Sequence, residues 1–372
     1  MSRKNNLPNR AYKFRIYPNE EQKIFFAKTF GCTRFIYNQM LADKIAHYEE
    51  TKEMLKNTPA QYKEKYPCLK EVDSLALANA QKNLETAYNN FFENTKIGFP
   101  KFKSKRKTKK AYTTNSVNNN IKIMGNYLKL PKINSLIKIK IHRNIPANYK
   151  LKSVTISQSA SGKCFVSILL EYENQVVEKK VETFVGLDFS MHELYVNSEG
   201  ICAKYPKYYR QAQIKLAREQ RKFSKMEKGS KNREKQRKKL AIIHEKTANQ
   251  RKDFLHKLSK KLVEKFDCIC IEDLDMKALS QALKFGKSVM DNGWGMFINF
   301  LEYKSKEVGK KLVKVGKYFA SSQICSKCGY KNKEVKDLSI RKWECPKCKV
   351  VHDRDINAAI NIRNEEIRIV LG

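Results

Sequence analysis

The chain opens on alternation. In AYKFRIY, residues 11–17, Tyr12, Phe14 and Ile16 alternate with Lys13 and Arg15, the two-residue period of a strand with one buried face. Pro18 and Asn19 then turn the chain. Asn19 is placed to cap the next helix, with Gln22 three residues on as its capping-box partner. From there to about Tyr88 the period is helical, interrupted near Pro59 and Pro67. Residues 119–174 fall into short runs (IKIM, YLKL, IKIKI, SVTISQS, CFVSILLEY) separated by single turn signals, as in a small barrel.

The pattern changes at Thr183. TFVGLDFS predicts an apolar strand ending in an acid, HELYVNSEG a second strand with a Ser-Glu-Gly turn, and ICAKYP a third. Residues 207–262 form a long, very basic helical stretch broken near Gly229. In its second half Leu240, Ile243, Thr247, Phe254, Leu258 and Leu262 recur at mostly three- and four-residue steps. That spacing predicts a helical hairpin with a narrow apolar seam. FDCICIEDL (266–274) is a short buried strand ending in Glu272 and Asp273. A helix follows around WGMFINFLEYKSKEVG, with Trp294, Phe297, Ile298, Leu301 and Val308 inward, and KLVKV (311–315) is another strand. No internal repeat is present.

Charge narrows the partners. Seventy-six Lys and Arg against 38 Asp and Glu leave a formal +38 on 372 residues, 41% of them hydrophobic. The length suits roughly two or three domains. The charge exceeds what solubility needs and predicts a polyanionic partner, nucleic acid before an anionic membrane surface. No apolar run is long enough to span a bilayer, so no membrane partner is expected. MSRKNNLPNR has no hydrophobic segment behind its charges, unlike a secretory signal. A cytoplasmic location follows. GFPKFKSKRKTKKAYTT (98–114) concentrates the charge: it is either a solvated mobile loop or a phosphate-contacting segment with Phe99, Phe102 or Tyr112 near bases.

Of ten cysteines, Cys32, Cys68, Cys164, Cys202, Cys268 and Cys270 are isolated or lie in apolar stretches, where a free thiol is a small hydrophobe. The other four form Cys325-x2-Cys328, sixteen intervening residues, then Cys345-x2-Cys348. Two such hairpins supply a tetrahedral thiolate set, which suits zinc. Four thiolates leave no open position, so the zinc is structural. Asp337 and Glu334, in the loop between the hairpins, are most simply surface residues.

Three acids stand out. Asp188 ends the apolar strand FVGLD and Glu272 ends CICIE. Carboxylates in such places need a partner to offset desolvation, and a metal ion is a common one. Either alone could simply reach solvent or pair with a lysine. The third lies in VVHDRDINAAINIRNEE (350–366), where Asp353 and Asp355 head a helix. From Asp355 the helical face runs through Ala358, Ala359 and Ile362, small or apolar and able to lie close on a sheet. Asp353 precedes that face and is the better N-cap. Strand with acid, antiparallel pair, helical excursion, acidic strand and acidic helix, in that order, match an RNase H-like fold. There, carboxylates hold two divalent cations for phosphodiester hydrolysis, with Mg2+ or Mn2+ suited to all-oxygen ligation.

With these pieces in place the chain resembles TnpB, the OrfB-type protein of bacterial insertion sequences and a relative of the type V CRISPR effectors. AYKFRIYPNEEQ, GCTRFIYNQML, GFPKFKSK, VGLDFSM, IEDLDM, DNGWGMFINFLEYK and CSKCGY…CPKC..VHDRDINAAINI occur in family order across nearly the whole chain. The resemblance implies an α+β and α/β multidomain fold: a β-barrel wedge at 1–180 with a helical recognition insertion at about 19–96, then an RNase H-like (RuvC) domain at 181–372. The latter holds the hairpin 207–262 and an inserted zinc ribbon at 320–350. It implies an RNA-guided DNA endonuclease of a transposable element, with Asp188, Glu272 and Asp355 as catalytic Mg2+ ligands and Cys325, Cys328, Cys345 and Cys348 on zinc. The implied partners are a guide RNA from the element's end and double-stranded target DNA beside a short DNA motif, with room for a separate transposase of the same element, in a bacterial cytosol or nucleoid. Three other readings compete: an RNA-guided DNA-binding repressor or transposase accessory that needs no cleavage, a transposase acting directly, and a zinc-ribbon nucleic-acid-binding protein.

Overall fold

In the computed structural model the described residues are 8–173, 176–282, 286 and 291–371. The chain divides into two compact units, Met1–Asn174 and Gln175–Gly372.

The first unit is built on a seven-stranded antiparallel half-barrel. Its strands are β1 (Asn9–Tyr17), β2 (Lys110–Asn115), β3 (Lys122–Met124), β4 (Tyr127–Lys129), β5 (Ile137–Lys140), β6 (Lys150–Gln158) and β7 (Cys164–Glu171), in the order β2-β6-β7-β1-β5-β4-β3. The alternation of β1 holds: Phe14 and Ile16 are fully buried against Ile139, Val166 and Ile168. Between β1 and β2 the chain forms α1 (Glu20–Thr51), two short 3-10 turns at the prolines, and α2 (Ser74–Glu93). Asn19 and Gln22 close both halves of the capping box on α1. The two helices have a core of their own, with Ile36, Met40, Leu77 and Leu84 inside it.

The basic segment is less free than its composition suggests. Asn38 on α1 clasps the backbone of Lys103, donating to its carbonyl at 2.9 Å and accepting its N–H at 2.8 Å. The Lys103 ammonium sits 3.4 Å from the Tyr37 ring centroid. Tyr112, one of the three alternative aromatics for a contact with bases, lies buried on β2 against Phe26 and Phe30. The end of the run is a strand, and its period-2 alternation turns Tyr112 inward. Phe102 remains exposed.

The second unit centres on a four-stranded sheet of β8 (Phe184–Ser190), β9 (Leu194–Asn197), β10 (Cys268–Glu272) and β11 (Lys311–Val315), in the order β11-β10-β8-β9. β10 is parallel to both β8 and β11, and β9 is antiparallel to β8. ICAKYP makes only one bridge, Cys202 to Val196, not a full strand. The hairpin consists of α3 (Tyr208–Lys225) and α4 (Lys231–Lys265), joined through Gly229 at φ +94°. Buried Glu219 on α3 accepts from Gln236 on α4 at 2.8 Å. Leu240 and Thr247 are buried as expected, but Leu262 packs in the core beneath the sheet, and Leu255 is fully buried while Phe254 and Leu258 are only partly covered. α5 (Met276–Ala282) and α6 (Trp294–Glu307) follow β10. A two-stranded ribbon, β12 (Lys342–Glu344) with β13 (Val351–Asp353), leads into the last helix, α7 (Arg354–Leu371).

The sheet has two differently covered faces, as the period of 2 requires. Val185, Leu187, Ile269 and Ile271 point into a core with Leu255, Trp294 and Phe297 from α4 and α6. Cys268 and Cys270 point the other way, toward Ile362 of α7. Gly186 shares that second face, and a Cβ there would sit 1.9 Å from the Ala359 carbonyl oxygen. Only glycine lets α7 lie this close to β8, and Ala358 and Ala359 supply the small surface on the helix side.

Candidate active site and metal centre

The face that carries Gly186 also carries Asp188, two residues on, and the face of Cys268 and Cys270 ends in Glu272. Leu187 pairs with Ile271 in register, so Asp188 and Glu272 leave the C-terminal edge of neighbouring parallel strands side by side. α7 runs along the same face, with Asp355 in its first turn. The three acids are thus brought to one end of the sheet. Burial pushes the Asp188 carboxyl well above its usual range, and the charges of Glu272 and Asp355 add to the shift. Burial raises Glu272 as well, against a hydrogen bond from Ser321 that favours its ionised form. Neighbouring carboxylates that repel one another are the donor set a hard divalent cation neutralises.

The D-R-D triplet gives its three residues separate jobs. Asp353 precedes α7, and its Oδ1 accepts from the backbone of Asp355 and Ile356, both at 3.1 Å. It is the N-cap. Arg354 is buried and donates to the carbonyls of Asp337, at 2.5 Å, and Ile340, at 3.5 Å. Asp355 faces the other acids and pairs with Arg341 at 3.3 Å. Arg341 comes from the ribbon, and its carbonyl also accepts from the Arg354 backbone at 2.8 Å. The sequence reading missed Arg341, because a surface arginine in a basic chain carries no signal of its own.

The four ribbon cysteines form a closed set. Their ligand atoms lie within 4.8 Å of one another, with Cys325–Cys348 and Cys328–Cys345 both at 3.6 Å. Zinc–sulfur bonds of about 2.3 Å in a tetrahedron need sulfur–sulfur distances of about 3.8 Å, so the set fits zinc. His352, also missed, places Nε2 3.0 Å from Cys325 Sγ and packs against Trp343 at 4.8 Å. Two asparagines of α7 fix the approach to the first knuckle. Asn357 and Asn361 donate to the Ile324 carbonyl at 2.7 and 2.6 Å, and Asn361 also to the Ser321 carbonyl at 2.7 Å. The helix that carries Asp355 therefore also holds the start of the ribbon and the residue that hydrogen-bonds Glu272.

Comparison with known proteins agrees with this architecture. Family models match a helix-turn-helix domain of OrfB type at residues 8–53, the OrfB "Probable transposase" at 167–283 and a Cas12f1-like TNB domain at 294–362. Residues 8–53 here are β1 and the single helix α1, so the matched segment is a strand and one unbroken helix. A Streptomyces pristinaespiralis protein named "Putative RNA-guided DNA endonuclease" is 34% identical over 362 residues, 95% of this chain and 88% of its own length. The similarly named InsQ of Escherichia coli (strain K12) is 29% identical, with 95% and 91% covered. The cryo-EM structure of Cas12f1 with sgRNA and target DNA matches at a TM-score of 0.60 and 14% identity, covering 97% of this chain and 99% of that one. Fold and cysteine site define a multidomain protein with an RuvC-like domain and a zinc ribbon. Within that class, the chain belongs to the TnpB (OrfB) family.

Proposed function

We propose that this protein is an RNA-guided DNA endonuclease encoded by a transposable element, with Asp188, Glu272 and Asp355 as its catalytic carboxylates. The observation that carries the reading is the convergence of these three acids at the C-terminal edge of β8 and β10, with a raised carboxyl at Asp188. The names of the curated relatives support it. When bound at these carboxylates, a pair of Mg2+ or Mn2+ ions supplies activation of water and stabilisation of the leaving oxygen. The chain's own part is to hold the ligands. Parallel pairing fixes Asp188 beside Glu272, Ser321 orients Glu272, and the Asp353 cap sets where Asp355 enters α7. Cys325, Cys328, Cys345 and Cys348 hold a structural zinc that fixes the ribbon.

In this reading residues 1–180 form the wedge, with the helical recognition insertion at about 19–96, and 181–372 form the nuclease domain. Guide RNA and double-stranded target DNA are the partners, and the site of action is the bacterial cytosol or nucleoid. The test begins by sequencing the RNA that co-purifies with the protein. The complex is then challenged with a library of target-flanking sequences. Wild type should cut guide-matched DNA in Mg2+. Asp188→Ala should lose cutting by at least about a thousandfold and keep guided binding. Specific cutting by nuclease-treated, RNA-free protein would overturn the guide, and undiminished cutting by Asp188→Ala would overturn the site.

A further inference from the structure

Beyond the carboxylates, the second unit has a recess formed by His192, Tyr205, Lys207, Arg210, Asp291 and Asn292. Its floor holds two polar side chains in very different states. Asp291, 3% exposed, is fully engaged. Its Oδ1 accepts from the Tyr209 backbone at 3.0 Å and from the Tyr205 hydroxyl at 3.2 Å, and the Arg251 guanidinium reaches it at 3.4 Å. Its Oδ2 accepts from the Arg210 backbone at 3.4 Å. Asp291 thereby caps α3 from outside the helix, whose own N-cap residue, Lys207, makes no side-chain capping bond.

Asn292 is 1% exposed. Its Oδ1 accepts from the Trp294 backbone at 3.2 Å, and its Nδ2 has no hydrogen-bond partner. A buried amide donor left unmade is costly, and such a group in a native fold calls for a ligand or a water. Two cationic side chains share its recess. Lys207 and Arg210 line the same recess and His192 stands at its rim, and the one carboxylate among its described lining residues has its oxygens occupied by other donors. The unmade hydrogen bond here is thus that of a donor, Asn292 Nδ2, which matches an anionic acceptor.

We propose that this recess binds a backbone phosphodiester of the DNA strand brought to the carboxylates, with Asn292 Nδ2 as the buried donor and Lys207 and Arg210 as its counter-charges. Chain geometry selects DNA in transit to the site. His192 follows Asp188 by four residues, and four residues span at most about 14 Å, a reach of one to a few nucleotides. The inference rests on the nuclease reading for the identity of the strand.

The test separates the two. Protein carrying Asp188→Ala, with its co-purified RNA, is titrated with a short single-stranded DNA at several salt concentrations. Asn292→Asp keeps an oxygen for the Trp294 N–H and replaces the free donor with an acceptor, so it removes the contact without removing the structural bond. Arg210→Ala removes an exposed cation. Each change should weaken binding about tenfold, and Arg210→Ala should lower the magnitude of the salt slope by about 0.7. A neutral methylphosphonate at one position near the cut should reproduce the loss in the parent protein and add nothing in Asn292→Asp. Unchanged affinity in both variants at unchanged melting temperature would overturn the proposal and leave a water as the partner of Asn292. Loss of RNA retention with DNA affinity unchanged would overturn the assignment to DNA. Cutting of guide-matched DNA by the unsubstituted protein reports separately on the nuclease reading.

Discussion

At the scale of single residues, position relative to a helix start separates two neighbouring aspartates, one a cap and the other the proposed ligand. Asp353 and Asp355 are chemically identical, but one lies before the first turn of α7 and spends its oxygen on two backbone N–H groups. Asp353→Ala should therefore cost about 1 kcal/mol of stability and leave residual cutting, whereas Asp355→Ala should abolish cutting with little change in melting temperature. Thermal melts and single-turnover cleavage distinguish the two, and the reverse pattern would exchange their roles. Asp188 makes a second prediction. Its carboxyl is raised in the folded protein, so the fold binds a proton there more tightly than the unfolded chain does. Stability from this group is present below the ordinary carboxylate pKa and is lost as pH rises from there through the raised value. Without divalent metal, wild type should lose melting temperature relative to Asp188→Asn as pH rises through that window, and added Mg2+ should recover the loss most strongly above it. Parallel curves for the two proteins would contradict the shift.

At the scale of elements, α7 is the piece on which the ribbon and the carboxylates both depend. One face seats on β8 through Gly186 and Ala359, its N-terminus presents Asp355, and its asparagines hold the segment that carries Ser321 and leads to Cys325. Much of this was legible in the sequence. The small face Ala358–Ala359–Ile362 and the strand-end acids are period arguments, and the paired C-x2-C spacing names its own chemistry. The rest was not legible, because Ser321, Arg341 and His352 matter only through what they touch across the fold. Tyr112 drops out of the three candidate aromatics for a related reason: the charge around it masked a short strand, and strand alternation turned the ring into the core. His352 makes the dependence measurable. With its proton on Nε2, the ring beside Cys325 Sγ would donate to a thiolate of the proposed zinc set. His352→Ala should weaken zinc retention about tenfold, read by competition with a chromogenic chelator, with the thiol count unchanged. Zinc release at the wild-type rate would show the contact to be packing only.

At the scale of the whole molecule, charge is the controlling quantity. A formal +38 makes the bare chain a ligand for any polyanion, and each phosphate it neutralises releases counterions, so affinity for unmatched duplex should collapse with salt. Under the proposed function a guide RNA changes that balance. Each nucleotide adds about one negative charge, so an RNA of more than about 40 nucleotides reverses the sign of the complex. Non-specific attraction to DNA should then fall, leaving base pairing to choose the target. The measurement is the salt slope for duplex without a guide match, taken before and after nuclease treatment of the purified protein. RNA-free protein should show a steep slope, losing at least about a thousandfold in affinity between 50 and 200 mM salt, and RNA-loaded protein a shallow one. Equal slopes would mean that the bound RNA leaves the basic surface open, and selectivity would then have to come from the protein's own contacts.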